Sequence, residues 1–202
     1  MIVLFYALIV VLGVLSMGYQ LLASRLLSPH FGSSIIVWAW LISTFLAAFS
    51  LGSILGGAIS RGSPAKRLKL QVASASAGLA FLALSAFWGF AIADHIAISF
   101  ESMNVGLFLT NLVLFFVPVT VLSSFSPQCV QFLARRGMPP GQASGIVYGV
   151  STVGNIAGVM LTTFVLIPHF HVSSLMHGWL AVGVFGMSSL IFILKSAPEP
   201  TE

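Results

Sequence analysis

Arg25 is the side chain whose chemistry most needs an explanation, because it directly follows an uncharged and largely apolar run over residues 1–24. An arginine at the centre of a membrane helix costs roughly 2.5–3.5 kcal/mol on insertion scales, and less near the membrane boundary. Two interpretations are open: the guanidinium reaches the lipid headgroups, or it binds an anionic group of a ligand. Arg25 and the nearby His30 are therefore candidate ligand-binding residues.

A second group of polar side chains recurs with the spacing of one helix face in the fifth apolar stretch of the chain. At about 100° per residue, the group lies within roughly an 80° arc and consists of Ser144, Tyr148, Ser151, Asn155, Gly158 and Thr162. In lipid such a face turns toward other helices, where it serves helix packing or the passage of a substrate or ion. Tyr148, Ser151 and Asn155 are its candidate ligand-binding residues. Gln20 in the first stretch joins them, as a buried amide that needs a partner from another helix or a ligand.

The histidines fall on one side of the topology predicted below, together with Asp94 and Glu101; they are His30, His95, His169, His171 and His177. Interfacial polarity, proton sensing and metal or haem ligation are all compatible with this clustering. The spacing within it matches no recognised ligand pattern, so we assign no metal ligand, and the cofactor stays unknown. The sequence contains neither a nucleophile with a positioned base nor a phosphate-binding glycine loop, and no catalytic residue is assigned.

Composition places these residues in a membrane. Of the 202 residues, 58% are hydrophobic and only 6% are charged, and the mean hydropathy is +1.07. Soluble domains carry about 25% charged residues, so the chain is an integral membrane protein. The net charge of +4 comes from basic residues spread over several loops, and no nucleic-acid partner is expected. The single Cys129 excludes an intrachain disulfide.

Six stretches approach or exceed the roughly 20 apolar residues that a helix needs to cross the hydrocarbon core. They cover residues 2–24, 35–60, 70–93, 105–134, 142–167 and 172–194. The sequence therefore predicts an all-α polytopic membrane protein, with a six-helix transmembrane domain over residues 1–195 and a short polar tail over 196–202. We expect no soluble catalytic domain after the helices, and hence no enzyme.

The distribution of lysine and arginine sets the predicted orientation. One set of connections carries all but one of these residues, namely Arg61, Lys66, Arg67, Lys69, Arg135, Arg136 and Lys195. The alternate connections carry none apart from Arg25 at the first border. By the positive-inside rule the first set is cytoplasmic, which predicts a multi-pass protein of the cell inner membrane with both termini in the cytoplasm.

Prolines and glycines make two further predictions about the helices. Pro118 and Pro127 should kink the fourth span, where serines at positions 123, 124 and 126 are candidates to satisfy the freed carbonyls. Gly52 and Gly56 in the second span form a small-x-x-x-small pair that favours tight helix packing. Glycines at positions 145, 149, 154 and 158 in the fifth span should likewise allow close approach.

Several longer segments carry a family resemblance. They are GYQLLASRLLSPHFGSS (18–34), LGSILGG (51–57), FSPQ (125–128), SGIVYGVSTVGNIAG (144–158) and LIP (166–168). Together they resemble the membrane domain of the fused major-facilitator/spermidine-synthase-like family. The resemblance touches most of the chain and implies a transporter-like bundle. Since six helices make half a transporter, a second half would come from another copy or another subunit.

Three departures from the family limit what the resemblance implies. The synthase-like soluble domain is missing, Gln20 stands where an acidic residue is common, and no acidic residue lies near Ser60 and Arg61. Aminopropyltransferase activity is therefore not expected. Polyamine transport is not favoured either, because the predicted spans contain no carboxylate to meet several positive charges. We found no convincing three-helix repeat in the sequence.

Two functional hypotheses follow. The first is a transporter-like bundle that binds or moves a small neutral or anionic molecule, using the candidate residues above. The second is a non-catalytic membrane subunit that anchors or stabilises a larger complex. The expected partners are membrane lipid and either further copies of the chain or other membrane subunits.

Overall fold

The computed structural model describes residues 2–195, and the predicted tail over 196–202 lies outside this range. Within it the chain forms six helices, each long and apolar enough to cross a membrane. We name them α1 (Ile2–Phe31), α2 (Ile35–Ser60), α3 (Pro64–Ser99), α4 (Met103–Ala134), α5 (Pro140–His169) and α6 (Val172–Lys195). The predicted all-α polytopic bundle is confirmed, and α2 has the predicted bounds.

Two helices extend well beyond their apolar stretches. α1 continues through Arg25 and Pro29 to Phe31 and ends at Gly32, whose φ of 75° is the left-handed conformation that closes helices. Arg25 therefore lies inside α1, and the helix continues past the border that the apolar stretch indicated. α3 begins at Pro64, where proline suits the first helical turn, and so takes in basic residues that we had placed in a connection. Backbone turn chemistry sets these ends, and hydropathy does not.

The helices contact each other in a regular pattern. α2 contacts α4 most extensively, and the α1–α5 interface is the next largest. α3 packs on α4 and α6, α1 also packs on α6, and smaller contacts join α4 to α5 and α1 to α2. Exchanging α1 with α4, α2 with α5 and α3 with α6 leaves this pattern unchanged. Because α1 and α4 cross in opposite directions, the two helix triplets share one contact pattern with opposite orientations, although the sequence reveals no repeat.

Glycines set the two most extensive interfaces. A Cβ added to Gly52 or Gly56 of α2 would overlap the backbone of α4, which confirms the predicted tight packing. Gly154 and Gly158 of α5 lie equally close to the α1 backbone at Val10 and Val14. The remaining two predicted glycines, at positions 145 and 149, face open space. The predicted close approach is therefore confirmed for Gly154 and Gly158, and Gly145 and Gly149 take no part in packing between the described helices of this chain.

The fourth helix contains a π-helical turn over Leu112–Phe116, just before Pro118. Proline has no N–H to donate to the Leu114 carbonyl four residues earlier. Two hydroxyls from other helices donate to that oxygen instead, Tyr19 of α1 at 3.2 Å and Ser85 of α3 at 2.7 Å. The expectation that nearby serines of α4 would do this was wrong at Pro118. Ser123 and Ser124 bond other carbonyls, those of Ala48 and Val121 among them.

Candidate functional site

A cavity of about 160 Å³ lies at mid-depth between α1, α2, α4 and α5, and we call it the serine cavity. Its polar lining consists of Ser16, Ser53, Ser123, Ser126, Tyr148, Ser151 and Asn155, and Leu12, Phe49 and Leu122 complete it. Ser16 and Asn155 lie at the centres of α1 and α5, and the other lining residues lie up to about two helical turns toward the end of the bundle where α2 and α4 finish. The cavity has room for several water molecules and presents hydroxyl and amide groups without a formal charge.

Half of the predicted polar face of α5 forms one wall of the serine cavity. Tyr148, Ser151 and Asn155 line it as a group, and the Tyr148 side chain is 51% exposed, so this wall is open on one side. Further along α5, Gly158 and Thr162 turn away from the cavity and pack against α1. The single polar face of the sequence thus divides into a cavity-lining part and a packing part.

Arg25 belongs to a second and larger cavity of about 410 Å³ near the end of the bundle where the histidines lie. Ser24, Ser28, Gly32, Ser33, Trp38 and Thr163 line this Arg25 cavity with it, together with Leu21, Val37 and Ile167. The guanidinium side chain is exposed and makes no ion pair or hydrogen bond with any described residue. Arg25 lies about 13 Å from the centre of α1, close to the edge of a ~30 Å hydrocarbon core. This position is compatible with both interpretations of the charge.

Gln20 lies between the two cavities and lines neither. Ser16, Gln20, Ser24 and Ser28 follow each other at four-residue intervals, so they form one stripe along α1. The Gln20 side chain is half-buried rather than buried, and it makes no hydrogen bond within the described part of the chain. A partner from another helix is therefore not observed among the described residues, and a ligand as the partner of Gln20 stays a prediction. The residue occupies the one helical turn that separates the serine cavity from the Arg25 cavity.

His30 lies apart from both cavities. Its Nδ1 is 3.5 Å from a carboxylate oxygen of Asp94, and its buried Nε2 has no hydrogen-bond partner. The other histidines lie at the same end but are dispersed, and His169 and His177 bond carbonyls of their own helices. Over residues 2–195, no three His, Cys, Asp or Glu side chains come close enough to hold a metal ion.

Sequence reasoning found three lining residues of the serine cavity and missed the others. Ser53 and Ser126 join it only because α2 packs on α4, which no local pattern reveals. Ser16 was detectable, since it begins the four-residue stripe that contains Gln20. Trp38 and Thr163 of the Arg25 cavity come from different helices and carry no local signal.

No family model, curated protein or solved structure matches this chain. The resemblance to the fused major-facilitator/spermidine-synthase-like family therefore stays a prediction from its motifs. The function has to be argued from the two cavities and the exposed surfaces of the bundle.

Proposed function

We propose that this protein is a non-catalytic half-size transporter that binds a small polar molecule in the serine cavity and passes it along the α1 stripe to the Arg25 cavity. The observation that carries the proposal is a hydroxyl- and amide-lined cavity at mid-depth of a membrane bundle. Polar groups within a bilayer are costly and mark ligand paths when they face a cavity. The inverted arrangement of the two helix triplets supports the same function, because transporters bind substrates at the midplane between such repeats.

The lining of the serine cavity favours a neutral ligand with several hydrogen-bonding groups. Its seven polar side chains include no charge, and neither described carboxylate lines it: Asp94 lies near the end of α3 and Glu101 lies between α3 and α4. A polycation would find no counter-charge there. Arg25 lies too far along α1 to contact the same small ligand, so we assign it to attracting polar or anionic molecules at the outer cavity. Gln20 is then the constriction between the cavities.

The orientation is part of the proposal. Arg135 donates a hydrogen bond to the Ser60 carbonyl, so the two basic connections meet at one end of the bundle, which we call the basic end. We place the basic end and both termini in the cytoplasm and the Arg25 cavity on the opposite side of a cell inner membrane.

Replacing Ser151 by cysteine tests whether the serine cavity is reached by water. We expect Ser151→Cys to react with a charged, water-soluble methanethiosulfonate, because the proposed path along the α1 stripe connects the serine cavity to water. The native Cys129 is buried and serves as an internal control that stays unreacted. An unreactive Ser151→Cys would contradict a solvated path.

Uptake into proteoliposomes tests transport itself. Radiolabelled small polyols, amino acids and monocarboxylates form the panel, and we expect Asn155→Leu to reduce the uptake of any transported member at least about tenfold, by removing a cavity amide. Thr152→Val on the same helix is the matched control, since its hydroxyl bonds the Tyr148 carbonyl outside the cavity lining. No uptake of any panel member, or equal loss in both variants, would contradict the proposal.

A second observation favours an assembled protein. α5 is the least buried span, and Gly141, Gly145 and Gly149 present a flat surface on it with nothing near the position of a Cβ. Such small-x-x-x-small surfaces let membrane helices approach closely. We propose that a second copy of the chain packs on this surface and closes the open side of the serine cavity. The alternative is another membrane subunit, which would make the chain an anchor within a larger complex.

Oxidative cross-linking in native membranes distinguishes these partners. We expect Gly149→Cys to form a disulfide-linked homodimer, because a small-residue surface brings two backbones together. Ser188→Cys, on an exposed position of α6, is the control that should stay monomeric. A cross-linked product of another mass would identify a different subunit, and no product at all would count against the interface.

A further inference from the structure

The first turn of α3 carries unsatisfied donors at the basic end. Pro64 has no N–H, and the Arg67 N–H bonds the Ser63 carbonyl at 2.7 Å, which leaves the N–H groups of Ala65 and Lys66 without helical partners. Ser63 makes no side-chain cap, and the turn contains no acidic residue. A 36-residue helix therefore presents free N–H groups and the positive end of its dipole to an open space.

The environment of the Arg67 side chain indicates that this space binds a ligand. Its side chain is only 8% exposed, yet it makes no ion pair or hydrogen bond with any residue from 2 to 195. It lies between a very small inner cavity of about 10 Å³ and an outer cavity of about 260 Å³. The inner space suits one water at most. The outer space, which we call the α3 cavity, is lined by Pro64, Ala65, Arg67, Leu68, Gln71 and Lys195.

Among residues 2–195, the charges around the α3 cavity are all of one sign. Lys195 of α6 lines the α3 cavity, and Arg135, which directly follows α4, lines the inner space behind Arg67. The two described carboxylates, Asp94 and Glu101, lie at the other end of the bundle. A nearly buried guanidinium without a counter-charge is unfavourable, so an anion at this position would stabilise the fold as well as bind.

Buried amides hold the back of the cavity in place. Gln71, four residues after Arg67, donates from its amide nitrogen to the Gln128 side-chain oxygen at 2.7 Å. Gln128 in turn donates to the Ser124 carbonyl at 2.9 Å. This chain of hydrogen bonds ties the α3 face that carries Arg67 to α4.

We propose that the α3 cavity binds a phosphate group, held by the Arg67 guanidinium, the Lys195 ammonium and the free N–H of Ala65. Arginine and a helix N-terminus are complementary to the charge and oxygen geometry of phosphate. The site is independent of the proposed transport function. Its phosphate belongs either to the headgroup of an anionic phospholipid or to a free phosphate, since the cavity lies at a membrane–water boundary.

Lipid retention and phosphate titration separate these two sources. The full chain is reconstituted in equal parts of phosphatidylcholine and phosphatidylglycerol, extracted in mild detergent, and assayed for co-purified phosphatidylglycerol by mass spectrometry. Inorganic phosphate is titrated in parallel against the delipidated protein. We expect Arg67→Gln to weaken one of these two interactions at least about tenfold, the loss typical of a charge-assisted hydrogen bond. Arg61→Gln, an exposed arginine at the same end, should leave both unchanged.

Lys195→Gln gives a second readout at an exposed position, where folding is not at risk. We expect it to weaken the same interaction as Arg67→Gln. An equal loss of binding in Arg61→Gln would mean that general surface charge attracts the probe, and it would overturn the proposal. The proposal would also be overturned if the wild type bound neither phosphatidylglycerol nor inorganic phosphate. A double variant, Glu199→Gln/Glu202→Gln, removes the carboxylates of the tail. If phosphatidylglycerol co-purifies only with this variant, the proposal is overturned, because tail carboxylates would then occupy the cavity of the wild type.

Discussion

Adding one methyl group to Gly52 should destabilise the bundle, whereas the same change at Gly57 should not. In Gly52→Ala the new Cβ overlaps the Thr120 carbonyl and the Ser123 hydroxyl of α4. A backbone carbonyl cannot rotate aside, so α2 and α4 must separate along one of the two most extensive interfaces. We expect a loss of about 3 kcal/mol in the free energy of unfolding, the upper end of the range for overpacked sites.

Gly57 is the matched control, since it lies on the same helix with nothing within 4 Å of its Cβ position. Alanine is the better helix former, so Gly57→Ala should be neutral or slightly stabilising, by up to about 1 kcal/mol. Unfolding in mixed micelles, titrated with sodium dodecyl sulfate, measures both variants. Equal effects of the two substitutions would mean that α2 does not approach α4 as closely as the structure indicates.

The same comparison applies to α5, where the outcome also bears on assembly. Gly158→Ala should destabilise the isolated chain, because the new Cβ overlaps the Val14 backbone. Gly149→Ala should leave the isolated chain unchanged. A Gly149→Ala effect that depends on protein concentration would indicate that this face is covered by a second copy.

The sequence predicts the number, type and approximate position of the helices well because each apolar stretch is long and bounded by polar residues. It fails at helix ends such as those near Arg25 and Arg67, where Gly32 and Pro64 determine where the backbone turns. The difference matters for the candidate sites. The sequence placed Arg67 in an exposed connection, where its charge only indicated topology, whereas in the structure Arg67 is nearly buried and lines a cavity.

The candidate site was predictable only where one helix supplies it. Tyr148, Ser151 and Asn155 share a face of α5, and periodicity alone brings them together. Ser53 and Ser126 face them only after α2 has packed on α4 and both have met α1 and α5. Helix pairing in lipid depends on close backbone approach at glycines, and a single sequence does not show which helix packs against each glycine.

Removing both hydroxyl groups that reach the Leu114 carbonyl should cost more than the sum of removing each one. Tyr19, Ser85 and Leu114 are buried, and Pro118 supplies no backbone donor to this oxygen. In Tyr19→Phe the serine still bonds the carbonyl, and in Ser85→Ala the tyrosine does. Each single variant should lose about 0.6 kcal/mol, a typical value for a hydrogen bond between membrane helices.

The double variant leaves a carbonyl with no donor in a region that water does not reach. An unsatisfied buried acceptor costs roughly 1–3 kcal/mol, so we expect a total loss of about 3 kcal/mol and a coupling of more than 1 kcal/mol between the two sites. A double-mutant cycle measured by unfolding in mixed micelles gives this coupling. Additive losses would mean that the two hydroxyl groups act independently of the carbonyl.

Pro118→Ala provides the decisive control for this explanation. Alanine restores an N–H four residues after Leu114, and that N–H can donate to the carbonyl within α4. In the Pro118→Ala background the penalty of the double variant should therefore fall to about the sum of the two single losses. If the penalty stays the same, Tyr19 and Ser85 stabilise the bundle by packing alone, and the carbonyl freed by Pro118 is satisfied in another way. If it falls, the hydroxyl groups of α1 and α3 stabilise the contact with α4 by donating to the carbonyl that Pro118 leaves without a backbone donor.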